Sequence, residues 1–228
     1  MPNWCFNSLS IEGSAEDISA IKKQVNQPFQ RQHDSWNPET NKMELQDTVY
    51  SNPVFAFWNI IKPTNLEAYV KQSEHKLGEP ITFNGDNWYD WNVRNWGTKW
   101  DVSVHDGEQY PDTELMEESE TSLAYRFNTA WSPPTEAIVH LSSQYPECEM
   151  ILSYEEETGW GGEIMFSDGQ ATEIEHYENK CRDCDSNNTL EYCDICSIEV
   201  CSECKDMNEA NPEDVAECEE HRELISTD

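Results

Sequence analysis

Eight side chains able to ligate a metal stand near the carboxyl end in four closely spaced pairs: Cys181 with Cys184, Cys193 with Cys196, Cys201 with Cys204, and Cys218 with His221. The pattern reads C-x2-C, x8, C-x2-C, x4, C-x2-C, x13, C-x2-H. A gap of two residues lets both side chains of one tight turn reach a single ion, with Zn–S near about 2.3 Å and Zn–N near about 2.1 Å. Four pairs complete two tetrahedra and leave no position for water or substrate, so two structural Zn²⁺ ions are expected. Their work is to order a segment that has no core. Ligation in such modules is worth roughly 10–16 kcal/mol, well above what about 40 residues gain by burial.

Spacing leaves two pairings open. In the interleaved one, Cys181, Cys184, Cys201 and Cys204 hold the first zinc, while Cys193, Cys196, Cys218 and His221 hold the second; in the sequential one, neighbouring pairs share an ion. The short link at residues 197–200, apolar at Ile198 and Val200, favours interleaving, because a strand there carries the second and third pairs to different ions. The run Leu190-Glu191-Tyr192-Cys193-Asp194-Ile195-Cys196 through Cys201-Ser202-Glu203-Cys204 resembles B-box zinc domains, with the last pair later and of Cys-His type. That resemblance implies a small cross-brace zinc-binding domain over residues 178–228.

The two remaining cysteines, Cys5 and Cys148, lie in apolar, strand-like surroundings and read as buried free thiols. The chain has 14 Lys+Arg against 46 Asp+Glu, a net charge of −32. Residues 1–100 carry only −3 of this and residues 101–228 carry −29. Such a surface repels phosphate backbones and anionic lipid and favours a partner with a basic surface, besides aiding solubility. The start Met1-Pro2-Asn3-Trp4 has neither the basic nor the apolar region of a secretory signal. No apolar run reaches the roughly 20 residues that cross a bilayer. A cytoplasmic protein is expected.

The chain opens with a strand at residues 5–11 and a helix after Ser14, with Ile18, Ile21 and Val25 at helical spacing. Residues 27–99 read as an irregular polar insertion holding an apolar strand or turn at 53–61 and a short helix at 66–72. Residues 100–105 alternate as a strand that pairs with the strand of Leu123, Tyr125 and Phe127, and the acidic stretch 106–120 between them reads as a solvated loop. Ser132 with Pro133 and Pro134 predicts a capped helix start, and Ala137, Ile138 and Leu141 its apolar face. Residues 150–154 form the next strand, and 163–166 with 170–177 a hairpin turning at Ser167-Asp168-Gly169. The order β-α, insertion, β-β-α-β, hairpin is that of an α+β ferredoxin-like sandwich. Two domains are expected, residues 1–177 and 178–228.

Three blocks carry a resemblance over roughly residues 1–160: Met1-Pro2-Asn3-Trp4-Cys5; Trp91-Asn92 with Asn95-Trp96-Gly97-Thr98-Lys99-Trp100-Asp101; and Phe127-Asn128-Thr129-Ala130-Trp131-Ser132-Pro133-Pro134. Together they resemble the YubB-type ferredoxin-like domain of plasmid and bacteriophage proteins. The resemblance implies a mobile-element or phage origin, a host-directed role and a place in the host cytoplasm. It assigns no active site.

Trp88, Trp91, Trp96 and Trp100 cluster with only Arg94 and Lys99 as nearby cations, a pattern that fits packing better than single-strand binding. His33, His75, His105, His140 and His176 are scattered, and the acid pairs Glu117-Glu118 and Glu155-Glu156 read as solvated faces. No catalytic motif is present. The sequence therefore points to a non-enzymatic zinc protein that binds and modulates a host protein. An acidic nucleic-acid mimic is the alternative, and a single-strand binder using the Trp-rich block is a second.

Overall fold

Strict alternation sets the first strand: in β1 (Trp4–Glu12), Cys5, Asn7, Leu9 and Ile11 are buried while Phe6, Ser8, Ser10 and Glu12 are exposed. The computed structural model describes residues 3–71, 83–103, 113–177, 190–192 and 199–201. Helix α1 (Ala15–Val25) follows, its start capped by Ser14, whose side chain accepts the Asp17 N–H, and its face of Ile18, Ile21 and Val25 is buried as expected. After an insertion containing β2 (Phe29–Asn37), β3 (Lys42–Tyr50), α2 (Leu66–Tyr69) and α3 (Trp88–Trp96) come β4 (Thr113–Glu118) and β5 (Ser122–Ala130). Helix α4 (Thr135–Gln144), β6 (Glu149–Glu156) and the hairpin β7 (Gly161–Ser167) and β8 (Gln170–Tyr177) complete the large sheet. Its order is β4-β5-β1-β6-β7-β8, antiparallel throughout. The first four strands with α1 and α4 have ferredoxin-like topology, and the last hairpin widens the sheet. A separate pair, β9 (Leu190–Tyr192) and β10 (Glu199–Cys201), lies in the tail.

Three expectations are corrected. The strand beside β5 is not residues 100–105: its partner is β4, inside the stretch 106–120 expected to be a loop, while the described part of 100–105 holds no strand. As an edge strand, β4 exposes Glu114, Glu117 and Glu118, which hides its alternation, and Glu118 takes an ion pair from Lys22 at 2.5 Å. The insertion is not irregular, because β2 and β3 pair over their full length around a turn in which Asn37 accepts the Glu39 and Thr40 N–H groups and Asn41 adopts φ 55°. Ser132 is not the cap of α4; Pro134 holds that position, and the Ser132 hydroxyl donates to the Gly97 carbonyl at 2.5 Å.

The insertion supplies much of the core. Phe55 packs against Tyr125 and Phe127 with ring centroids 4.9 and 5.4 Å apart, and Phe57 lies between Phe127 and Trp96. Asp101 holds this wedge in place. Its carboxylate accepts the Phe57 and Val102 N–H groups at 2.8 Å and the Trp58 N–H at 3.1 Å, with the Arg31 guanidinium 4.0 Å away. Burial pushes the Asp101 carboxyl up, and Arg31 and the backbone donors act against that rise. An alternating apolar pattern at 100–105 thus conceals an inward carboxylate that fastens backbone.

Candidate protein-docking face

The helices and the aromatic wedge cover one face of the large sheet. On the other, register aligns a row that crosses all six strands: Glu114 opposite Arg126, Arg126 opposite Ser8, Ser8 opposite Ser153, Ser153 opposite Glu163, and Glu163 opposite Glu175. At about 4.8 Å per strand the row is about 24 Å long. One step along, Phe6 stands opposite both Asn128 and Glu155, and Gly161 separates Glu155 from Tyr177. All of these except Gly161 line an open groove of about 540 Å³, on which Phe6 is 48% exposed.

The charge on this face is one-sided. Arg126 is engaged by Glu114 at 2.8 Å, an exposed pair worth under about 1 kcal/mol. Glu155, Glu163 and Glu175 have no cationic partner among the described residues, and Glu163 is met only by the Ser153 hydroxyl at 3.0 Å. Like charges placed directly across a strand pair destabilise it, so the facing of Glu163 and Glu175 has a cost that folding alone does not explain. Two glycines bring them together. A Cβ at Gly161 would meet the Tyr154 carbonyl at 2.3 Å and the Tyr177 hydroxyl at 2.5 Å, and one at Gly162 would meet the Glu175 carbonyl at 2.2 Å. A groove that holds an apolar ring next to Glu155, with Glu163 and Glu175 further along it, can receive the stems and heads of Lys or Arg side chains.

Of the eight expected zinc ligands, Cys181, Cys184, Cys193, Cys196, Cys204, Cys218 and His221 lie outside the described residues; Cys201 ends β10, of which the backbone alone is described. Among the described residues no group of His, Cys, Asp or Glu is gathered for a metal, and no helix is long and apolar enough to cross a membrane. Cys5 and Cys148 are buried free thiols, as read from the sequence. Trp91 and Trp96 are core residues and Trp88 packs against the core, whereas Trp100 is exposed. His140 and His176 stand on separate elements, α4 and β8; His75 and His105 lie outside the described residues, and for His33 only the backbone in β2 is described. Glu156 corrects the reading of Glu155-Glu156 as a solvated pair: it is buried and accepts both the N–H and the hydroxyl of Thr158. The carboxylate row was not singled out from sequence, although Ser153 with Glu155 and Glu163 with Met165 already alternate outward in strands that were recognised.

Residues 99–194 match the family described as "Ferredoxin-like domain in Api92-like protein". The match takes in β4 through β9, supports the ferredoxin-like part of the fold expectation and runs past the domain boundary expected at 177. No curated protein matches the chain. The crystal structure of a protein api92 from Yersinia pseudotuberculosis aligns with 77% of this chain and 99% of its own, at 12% identity and a TM-score of 0.41. The chain is thus a mixed α+β protein whose second half is similar to the ferredoxin-like domain of Api92-like proteins.

Proposed function

We propose that this is a non-enzymatic interaction factor, encoded by a phage or mobile element, whose open sheet face docks a basic segment of a host protein in the cytoplasm. One observation carries the reading: Glu155, Glu163 and Glu175 stand without cationic partners among the described residues in the groove that the exposed Phe6 also lines. Sheets of this kind that read RNA use the same face, with aromatic platforms and basic surroundings. Here an aromatic is present but the surroundings repel phosphate, so a nucleic-acid ligand is disfavoured. The test is affinity capture from bacterial lysate with the natural chain and with Glu155→Gln, Glu163→Gln and Glu175→Gln combined. The variant should lose its captured partner, and recovery of the same proteins by both would refute the reading. Adding duplex DNA to the capture separates a nucleic-acid mimic, whose target DNA would displace.

The tail is proposed to hold two Zn²⁺ in the interleaved pairing, making a second domain over residues 178–228. What supports a metal-holding tail is the spacing itself: four ligand pairs, each with a two-residue gap, are enough for two closed tetrahedra. Elemental analysis should return two zinc per chain, falling to one in a Cys181→Ser, Cys184→Ser variant. A metal-free natural chain would end this proposal.

A further inference from the structure

The three blocks quoted for the family resemblance meet at one end of the sheet around a single cation. The Lys99 ammonium lies 4.6 Å from the ring centroid of Trp100, 4.7 Å from that of Trp131 and 5.8 Å from that of Tyr89. These are cation–π distances to three rings at once. Trp4 packs on Trp100 at 6.1 Å with the rings tilted by 36°, and Tyr89 meets Trp131 edge to face at 6.2 Å. Yet both indoles remain open to solvent, at 38% and 41% exposure. Lys99 has no carboxylate partner among the described residues, in a chain with 46 acidic side chains. Partial burial between the rings pushes its pKa down.

Backbone strain marks the same place. Trp131 adopts φ 73°, a left-handed conformation that is an outlier for a bulky side chain. Hydrogen bonds hold it there from both sides: its N–H donates to the Asn3 carbonyl at 2.9 Å, the Thr98 hydroxyl donates to the Ala130 carbonyl at 2.9 Å, and the Thr129 hydroxyl donates to the Ser132 carbonyl at 2.7 Å. Strain of this kind persists only where its surroundings over-determine it, and it gathers at ligand clamps. Here it presents one indole to a cation opposite the other.

We propose that Tyr89, Trp100 and Trp131 form a recognition cage for an arginine side chain of a protein partner, and that Lys99 is its resident placeholder, displaced on binding. A guanidinium is planar, stacks on aromatic faces and is more weakly hydrated than an ammonium, so it replaces Lys99 favourably once the lysine swings into water. The net charge of −32 draws basic partners and excludes an anionic occupant. The cage stands apart from the carboxylate row and does not depend on it.

The test is NMR titration of the indole N–H signals of Trp100 and Trp131 with a blocked Gly-Arg-Gly peptide, and with Gly-Glu-Gly as control, on the full chain. Lys99→Ala vacates the cage and should bind the arginine peptide about fivefold more tightly than the natural chain, the fold-change that one exposed cation–π contact is worth. Lys99→Met keeps an apolar stem between the rings and should bind no better than the natural chain. Adding Trp131→Ala to Lys99→Ala should abolish the effect. The same indole shifts should persist when Glu155, Glu163 and Glu175 are all glutamine, which separates failure of the cage from failure of the sheet face. The proposal is overturned if Lys99→Ala binds no more tightly than the natural chain, or if it binds the glutamate peptide equally well.

Discussion

Replacing Asp101 by alanine should cost about 4 kcal/mol of stability, the largest single loss we expect at a polar position. The carboxylate is 1% exposed and accepts three short backbone bonds, from Phe57, Val102 and Trp58. Removing it strands those donors and leaves the Arg31 guanidinium, 17% exposed, without its counter-charge. Truncating one partner of a buried charged network typically costs about 3–5 kcal/mol. The backbone bonds outweigh the ion pair, because the Arg31 contact is 4.0 Å against 2.8 Å for the shortest N–H bonds, and the Arg31 Nε already lacks a partner. Arg31→Met should therefore cost less, about 1–2 kcal/mol, because Asp101 keeps its backbone donors when the guanidinium is removed. Asp101→Asn, which keeps one acceptor oxygen, should fall between them. With a urea m value of about 2.5 kcal/mol per molar, Asp101→Ala lowers the unfolding midpoint by about 1.6 M. Tryptophan fluorescence reads the transition directly, as Phe57 packs on Trp96. A midpoint shift below about 0.4 M, or an Arg31→Met loss equal to that of Asp101→Ala, would refute the reasoning.

Three further outcomes are expected. A Cβ at Gly13 would meet the Cys148 sulfur at 2.4 Å but the Cys148 Cβ at 3.5 Å. Gly13→Ala should thus cost about 2 kcal/mol alone and much less when combined with Cys148→Ala, a non-additivity that denaturation of the double variant checks. Burial pushes the Cys5 thiol up to about 12, helped by Glu156 and opposed by a hydrogen bond with Thr129. At pH 8 only about one molecule in ten thousand carries the thiolate, so peptide mass spectrometry should find Cys5 unalkylated by iodoacetamide in the native protein and alkylated in urea. Burial holds His140 below its ordinary pKa, so the unfolded chain binds that proton more tightly. The stability this contributes is present above about pH 6.5 and is lost as pH falls through the folded value. His140→Gln should flatten the fall in melting temperature between pH 7.5 and 5.5, and an unchanged slope would count against it.

Much of the sheet was legible because its central strands are buried on one face, and burial writes period two into the sequence. In β1, β5 and β6 most inward residues are apolar, with Asn7, Thr129 and Glu156 the polar exceptions, so strands and order followed from pattern. β4 was not legible: an edge strand needs few inward side chains, and its acidic outward residues look like a loop. The aromatic wedge was hidden for a different reason. Phe55, Phe57 and Trp96 fill the core from an insertion whose local pattern has no period, and their burial arises only when rings 39 to 72 positions apart along the chain meet.

By itself the sequence determined the helix that Ser14 caps, the ferredoxin-like element order, the one-signed charge and the four ligand pairs of the tail, because each depends on neighbours a few residues apart. Only the tertiary structure decided which side chains share a face. Strand register set Glu155 beside Phe6 and Glu163 opposite Glu175 on the same face, and the crossing of three distant blocks set Trp100 and Trp131 about Lys99. Register and crossing are properties of paired elements, and no single stretch of chain encodes them.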